Sequence, residues 1–213
     1  ITLSTTEPTR TGYTFEGWAT LPNGTEAQFR PGDTFTLNQD ITLYAVWEEA
    51  LYLKSTNYLI GDTPENYNLG VETAYKEGDE YISRVLPYIT RYHENRTTKK
   101  VFLQNISTNA ETIQIIDTHG NTVNDEALIG TGMTLKLTKG SQSISIKIVV
   151  TGDADGNGKI TAADISSITN YRLGKLELTG AYLKAIDTNY DGKITAADKS
   201  KLTNIRLNLL EDF

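Results

Sequence analysis

Asp153-Ala-Asp155-Gly-Asn157-Gly158-Lys159-Ile160-Thr161-Ala-Ala-Asp164 is the stretch that decides the fold, because the chain writes it twice. The second copy is Asp187-Thr-Asn189-Tyr-Asp191-Gly192-Lys193-Ile194-Thr195-Ala-Ala-Asp198, 34 residues further on (187 − 153). Extended to Gly174 and Asn208, the two 22-residue copies share 13 identities. A single Asp/Gly turn is common in any protein. Two copies in register, with oxygen-bearing side chains at the same alternate positions, call for a shared chemistry.

That chemistry is the binding of a hard cation. Calcium takes about six to eight oxygens, and a 12-residue loop supplies them from positions one, three, five, seven, nine and twelve. The first copy offers Asp153, Asp155, Asn157, the Lys159 carbonyl, Thr161 through a water, and Asp164. The second offers Asp187, Asn189, Asp191, the Lys193 carbonyl, Thr195 and Asp198. Gly158 and Gly192 fall at position six, where the chain must turn sharply. Ile160 and Ile194 follow at position eight, where an apolar side chain packs the loops together. Both copies end in Asp where Glu is usual, so the following helix must approach the ion more closely. Two calcium ions are expected.

The Asp ending, the Lys-Ile-Thr run and the doubled loop resemble the type I dockerin family over about residues 152–210. The resemblance implies a small, all-α module with three helices and two calcium loops, which plugs a secreted protein into a cohesin on a scaffold. It also implies that the partner is read by Ala162, Ala163, Thr169 and Asn170, and by Ala196, Ala197, Thr203 and Asn204 in the second copy. The pairs are identical, which suggests a pseudo-twofold module that can present either half. The Ala-Ala pair carries no hydroxyl and the Thr-Asn pair no charge, unlike familiar dockerins. Plain helix surface is the alternative reading of these eight positions.

The helices follow from local signals. Helix one is expected over 162–173, with Ile165 and Ile168 inward and Gly174 as its stop. A short helix over 179–186 starts at Thr179, whose side chain is expected to cap it, and a third over 196–209 turns Leu202, Ile205 and Leu209 inward. Asp164 doubles as a first-turn acid that suits the helix dipole. A core this small is marginal, so metal binding should couple to folding.

Residues 1–49 read as all-β. Gly12-Tyr-Thr-Phe-Glu-Gly-Trp18 alternates, Pro22-Asn-Gly24 and Pro31-Gly-Asp33 are turns, and Phe35-Thr-Leu37 and Ile41-Thr-Leu-Tyr-Ala-Val-Trp47 are expected strands. Trp18 and Trp47 read as core, with a sugar-binding platform as the alternative. Gly12-Tyr13, Phe15, Gly17-Trp18 and the closing strand resemble the internalin B-repeat, or Listeria–Bacteroides repeat, over about 5–48. That resemblance implies a β-grasp-like spacer of extracellular bacterial proteins, here with its first strand cut short.

Residues 50–151 form a second module, α+β or mostly β. A helix capped by Thr97 or Thr98 is expected over 97–106, and strands at 112–117, 133–137 and 144–150, the last two joined by Lys139-Gly-Ser141. Residues 61–66 read as a loop and His119-Gly-Asn121 as a turn, while Pro87 argues against an uninterrupted helix across 80–89. Gly130-Thr-Gly-Met133, and a strand running straight into Gly152-Asp153, resemble the module that often precedes dockerins. The implied role is a stiff support. The domain boundaries are therefore 1–49, 50–151 and 152–213.

Composition narrows the function. The net charge of −7 speaks against nucleic acid, which needs a basic stripe. Arg91-Tyr-His-Glu-Asn-Arg96 with Lys99-Lys100 is the one basic cluster and reads as a solvated helix start, with an acidic glycan as its alternative partner. The absence of cysteine removes thiolate metal sites, thiol nucleophiles and disulfides. No run is long enough for a membrane span. A single Met leaves no Met-rich groove for a calcium sensor to expose. His93 and His119 do not pair, and Glu48, Glu49, Glu77, Asp79 and Glu80 have no defined separation for glycoside hydrolysis.

The expected function is non-catalytic: the C-terminal excerpt of a longer secreted or surface protein, attached through a cohesin. A calcium-stabilised terminus without such a partner, or a fragment that binds cell-wall or host glycan, are the alternatives. A hydrolase domain upstream is compatible with either.

Overall fold

β1 (Tyr13–Ala19) forms because aromatic and small residues alternate there, and it pairs antiparallel with β2 (Tyr44–Glu49). The computed structural model describes residues 1–55, 58–60, 75–77, 80–82, 88–92 and 97–207. The loop read at 61–66, Asp79, His93 and Arg96 of the basic cluster, Asn208 and Leu209 lie outside the described residues. The chain divides into two compact units, 1–50 and 51–213.

In the first unit the β1–β2 register slips between Phe15 and Gly17, a bulge that brings Phe15 beside Trp18. Their ring centroids lie 5.1 Å apart and Phe15 meets Trp47 at 5.5 Å, both edge to face. The two tryptophans are thus half-buried around one phenylalanine. Gly17 has a φ of 137°, and a Cβ there would stand 2.4 Å from the Phe29 carbonyl, because residues 27–29 cross directly over it. The strand expected at 35–37 does not form a ladder. Thr34 makes one isolated bridge to Thr2, flanked by the backbone bonds between Phe35 and Ile1, and the Phe35 ring stacks on Phe29 at 4.7 Å.

The second unit is built on a five-stranded sheet in the order β4-β7-β11-β10-β9. These are Leu59–Ile60, Tyr88–Tyr92, Gln142–Val150, Thr134–Lys139 and Thr112–Ile116. β10 and β11 close through the two-residue turn Gly140-Ser141, and β11 runs parallel to β7. A smaller sheet, β5-β6-β3-β8, joins Tyr75–Glu77, Glu80–Ile82, Leu53–Ser55 and Ser107–Thr108. α1 (Lys99–Gln104) starts at Thr98, whose hydroxyl accepts from the Val101 amide. Phe102 of α1 is fully buried and stacks on Tyr58. Leu135, Leu137, Ile146, Ile148 and Val150 fill the core from one face of β10 and β11.

Three helices follow: α2 (Ala162–Arg172), α3 (Gly180–Ile186) and α4 (Ala196–Arg206). Ile160, Ile168, Ile186 and Leu202 are their core, with Ile165 and Ile194 packed against it. Ile205 is half-buried. α2 stops where Gly174, at φ 65°, lets the Gly174 and Lys175 amides bond back to Tyr171 and Asn170. Thr179 occupies the N-cap position of α3, but its side chain makes no capping bond. The helices do not hang free of the sheet. Val149 points to the sheet face opposite the core and is covered by Ala181 and Ala185 of α3. The Gly152 amide then donates to the Ala185 carbonyl at 2.7 Å.

Candidate metal centre

Each loop is closed by its last aspartate. Asp164 is the third residue of α2, and one of its oxygens accepts from the Thr161 amide and hydroxyl at 2.8 and 2.9 Å. The other accepts from the Ala154 amide at 2.8 Å, at the opposite end of the loop. The Thr161 hydroxyl in turn accepts from the Ala163 amide and from the backbone of Asp164, the latter completing a capping box. Asp198 does the same in the second loop, bonding the Thr195 amide at 2.8 Å and the Thr188 amide at 3.0 Å. Each aspartate thus spans the loop, one oxygen on the helix cap and the other on the loop's second residue. The hydroxyls of Thr161 and Thr195, expected at ligand position nine, are held in these caps.

The first aspartate organises the turn. Asp153 accepts from the Gly156, Asn157 and Gly158 amides at 3.0, 3.0 and 3.1 Å, and from Thr131 at 2.8 Å. Asp187 accepts from Asp191 and Gly192 at 3.2 and 2.9 Å. Gly158 and Gly192 have φ of 74° and 78°, the left-handed turn that position six requires. Asn157 holds Asp155 through its amide at 2.8 Å, and Asn189 holds Asp191 at 3.0 Å.

The first loop fits a calcium-sized cation. Its donors are oxygens throughout, which suits a hard ion. Two oxygens on opposite sides of a calcium ion, each about 2.4 Å away, lie about 4.8 Å apart. Oxygens of Asp153, Asp155 and Asp164 all lie within 4.8 Å of one another, so one coordination sphere can hold them. Among the described residues no second trio of carboxylates gathers so closely. In the second loop position three is the amide Asn189.

Burial sets the electrostatics. Asp153 is fully buried, and desolvation pushes its carboxyl from 3.8 up to about 6, against the amides of Thr131 and Gly158 that favour the anion; Asp164 and Asp155 add repulsion. Asp187 is half-buried and raised for the same first reason, with repulsion from Asp198 and Asp191. A divalent cation would supply the missing countercharge.

The eight positions expected to read a partner lie on α2 and α4. Ala162, Ala163, Asn170, Ala196 and Ala197 are exposed; Thr169, Thr203 and Asn204 are half-buried. Sequence reasoning missed Leu173 and Leu207, which stand 61% and 56% exposed at the ends of the same two helices. They also lie 34 residues apart (207 − 173). An apolar residue repeated at a helix end, off the inward face, was the available signal. Of the basic cluster, Lys99 is spent inside the unit, bridging Asp125 at 3.0 Å. His119 belongs to a turn ordered by Asp117. No described helix is long and apolar enough to cross a membrane.

Comparison with known proteins places these features in families. A Listeria-Bacteroides repeat domain matches residues 1–46, and a dockerin type I domain matches residues 151–205. Two curated proteins of Evansella cellulosilytica are similar over short stretches. One, described as a putative membrane protein, is 51% identical over 39 residues; another, a putative Gly-rich membrane protein, is 48% identical over 42 residues. These stretches are 18% and 19% of this chain but 6% and 5% of those relatives. No solved structure matches. Both domain types are typical of extracellular or surface proteins, and type I dockerins are in general calcium-dependent, cohesin-binding and non-catalytic modules. Along the chain, the stretch that matches a Listeria-Bacteroides repeat domain is followed by the stretch that matches a dockerin type I domain.

Proposed function

We propose that this chain is a non-catalytic tail that attaches a secreted or surface protein to a cohesin, with calcium holding the docking helices in place. The observation that carries the reading is the closure of both loops by Asp164 and Asp198. Each ties the loop's start to the first turn of a helix that bears the docking positions. An ion held by Asp153, Asp155, Asn157, Lys159, Thr161 and Asp164 would therefore fix α2. A second, held by Asp187, Asn189, Asp191, Lys193, Thr195 and Asp198, would fix α4. The docking face of each half comprises the Ala-Ala pair, the Thr-Asn pair and the exposed leucine. The sheet of 51–151 acts as the support and residues 1–50 as a spacer. The packing of Trp18 and Trp47 around Phe15 favours a core role over a glycan platform.

The Ala-Ala pairs, which bring no hydroxyl to the face, favour one second reading: a calcium-stabilised terminus without a cohesin. Calorimetric calcium titration, with and without a panel of cohesins, decides between the two. The docking reading expects calcium binding and at least one cohesin that binds in calcium but not in chelator. Calcium binding with no cohesin partner would favour the second reading.

A further inference from the structure

The two loops carry the same kinds of ligand but sit in different surroundings. The first rests on residues 128–132, the strap that leads into β10. Ile129, Gly130, Thr131 and Gly132 are all buried. The strap is pinned to the sheet: Ile129 donates to the Thr97 carbonyl at 2.9 Å, and Gly132 to the Ile148 carbonyl at 3.0 Å. The Thr131 hydroxyl bridges the Val150 amide and carbonyl, both at 3.1 Å.

Strap and loop approach backbone to backbone. A Cβ on Gly130 would lie 2.0 Å from the Gly156 carbonyl oxygen, and one on Gly156 would lie 2.7 Å from that of Thr131. A Cβ on Gly158 would lie 2.5 Å from the Ile129 carbonyl oxygen. Through this contact the Thr131 amide reaches Asp153 at 2.8 Å. Among the described residues the second loop has no such seat. A Cβ on Gly192 meets nothing within 4 Å, and the amides on Asp187 come from its own loop. At loop position four, where the first copy has Gly156, the second has Tyr190. Tyr190 holds the same left-handed backbone at φ 60°, and its hydroxyl bonds to Thr151 at 2.6 Å.

We propose that residues 128–132 are part of the first calcium site, with Thr131 a positioning residue for Asp153. The proposal rests on the calcium reading above. A buried amide already aimed at the first ligand, and a seat that fixes the turn, lower the ordering cost of coordination. The first loop therefore binds calcium more tightly than the second, and its occupancy is felt in the sheet.

The test uses the full chain and calcium alone as the probe. Calorimetry of the wild type should resolve a tighter and a weaker step, and Asp187→Asn should remove the weaker one. Gly130→Ala should weaken the tighter step about tenfold or more, the size expected for losing a charge-assisted hydrogen bond, and leave the weaker step unchanged. Gly130 has an ordinary φ, so the methyl acts by contact and not by backbone strain. Hydrogen exchange on the wild type adds a readout that needs no variant. The Thr131 amide should slow about tenfold or more with the first equivalent of calcium. Loss of the tighter step in Asp187→Asn, unchanged affinities in Gly130→Ala, or a Thr131 amide indifferent to calcium would each overturn the proposal while leaving the calcium reading intact. No binding of calcium to the wild type would overturn both.

Discussion

Replacing Asp164 by Ala separates the structural role of this residue from its metal role. Its carboxylate accepts the Ala154 amide at 2.8 Å, the Thr161 amide at 2.8 Å and the Thr161 hydroxyl at 2.9 Å. Ala154 is buried, so its orphaned amide costs about 1–3 kcal/mol. Loss of the reciprocal half of the cap costs about 1 kcal/mol more. In chelator the substitution should therefore destabilise the helical region by about 2–4 kcal/mol, read by urea denaturation followed through the helical circular dichroism signal. In calcium the wild type gains further, by about 2.7 kcal/mol at a hundredfold excess over the dissociation constant. A variant lacking the ligand gains less from its first site, so the gap must widen by up to that amount. Asp164→Asn, which keeps one acceptor for Ala154 but no charge, should fall between the two in chelator and near Asp164→Ala in calcium. Equal stability of wild type and Asp164→Ala in chelator would refute the closure argument. A gap identical in chelator and in calcium would refute the ligand argument.

Other consequences are measurable in the same way. In chelator Asp153, raised from 3.8 to about 6, holds its proton more tightly in the folded chain than in the unfolded one. Its contribution is therefore present at low pH and lost as pH rises through about 6, a swing of up to about 3 kcal/mol. The stability difference between wild type and Asp153→Asn in chelator should shift against the wild type between pH near 4 and near 7; a shift in its favour would contradict the burial argument. Leu173→Gln combined with Leu207→Gln should leave the stability almost unchanged, within about 0.5 kcal/mol, yet weaken binding to a cohesin more than about tenfold in a titration. Gly17→Ala should cost the first unit more than about 2 kcal/mol, because its Cβ meets the Phe29 carbonyl oxygen at 2.4 Å; Gly12→Ala, with nothing within 4 Å, should cost about 1 kcal/mol. Tryptophan fluorescence melts compare them.

What was legible in the sequence was local. The spacing of Asp153, Asp155, Asn157 and Asp164 names the ligand chemistry, because a 12-residue calcium loop holds its donors at fixed positions. The alternation of Leu135-Lys-Leu137 and of Ile144 to Ile148 names two strands, because successive side chains in a strand face opposite ways. What was not legible depended on distant chain. The parallel pairing of β7 with β11 leaves no local mark. The bulge at Gly17 leaves one, a glycine inside a strand pattern, but nothing local says which residues cross over it. Phe35 alternates like a strand residue and bonds Ile1 through both its amide and its carbonyl, but the pairing stops at the one Thr2–Thr34 bridge. The capping boxes were visible as Thr161-x-x-Asp164 and Thr195-x-x-Asp198, and mean more than first-turn charge once the Ala154 and Thr188 amides are seen on the same carboxylates.

The repeat shows how far sequence symmetry and physical symmetry can part. Thirteen identities over 22 residues make the halves look interchangeable. The differences between the loops fall at positions two to five, where the first copy reads Ala154-Asp-Gly-Asn157 and the second Thr188-Asn-Tyr-Asp191. Position four faces the strap in one loop and reaches Thr151 in the other, so Gly156 and Tyr190 each fit a different neighbour. The identical residues tell the other half of the story. Ala162-Ala163 and Ala196-Ala197 are exposed in both halves, on the first turns of α2 and α4. The strap touches the first loop at Gly156 and Gly158 and leaves both of those turns open. The two loops lose their equivalence to the strap and the sheet it is pinned to, while the faces proposed for docking keep theirs.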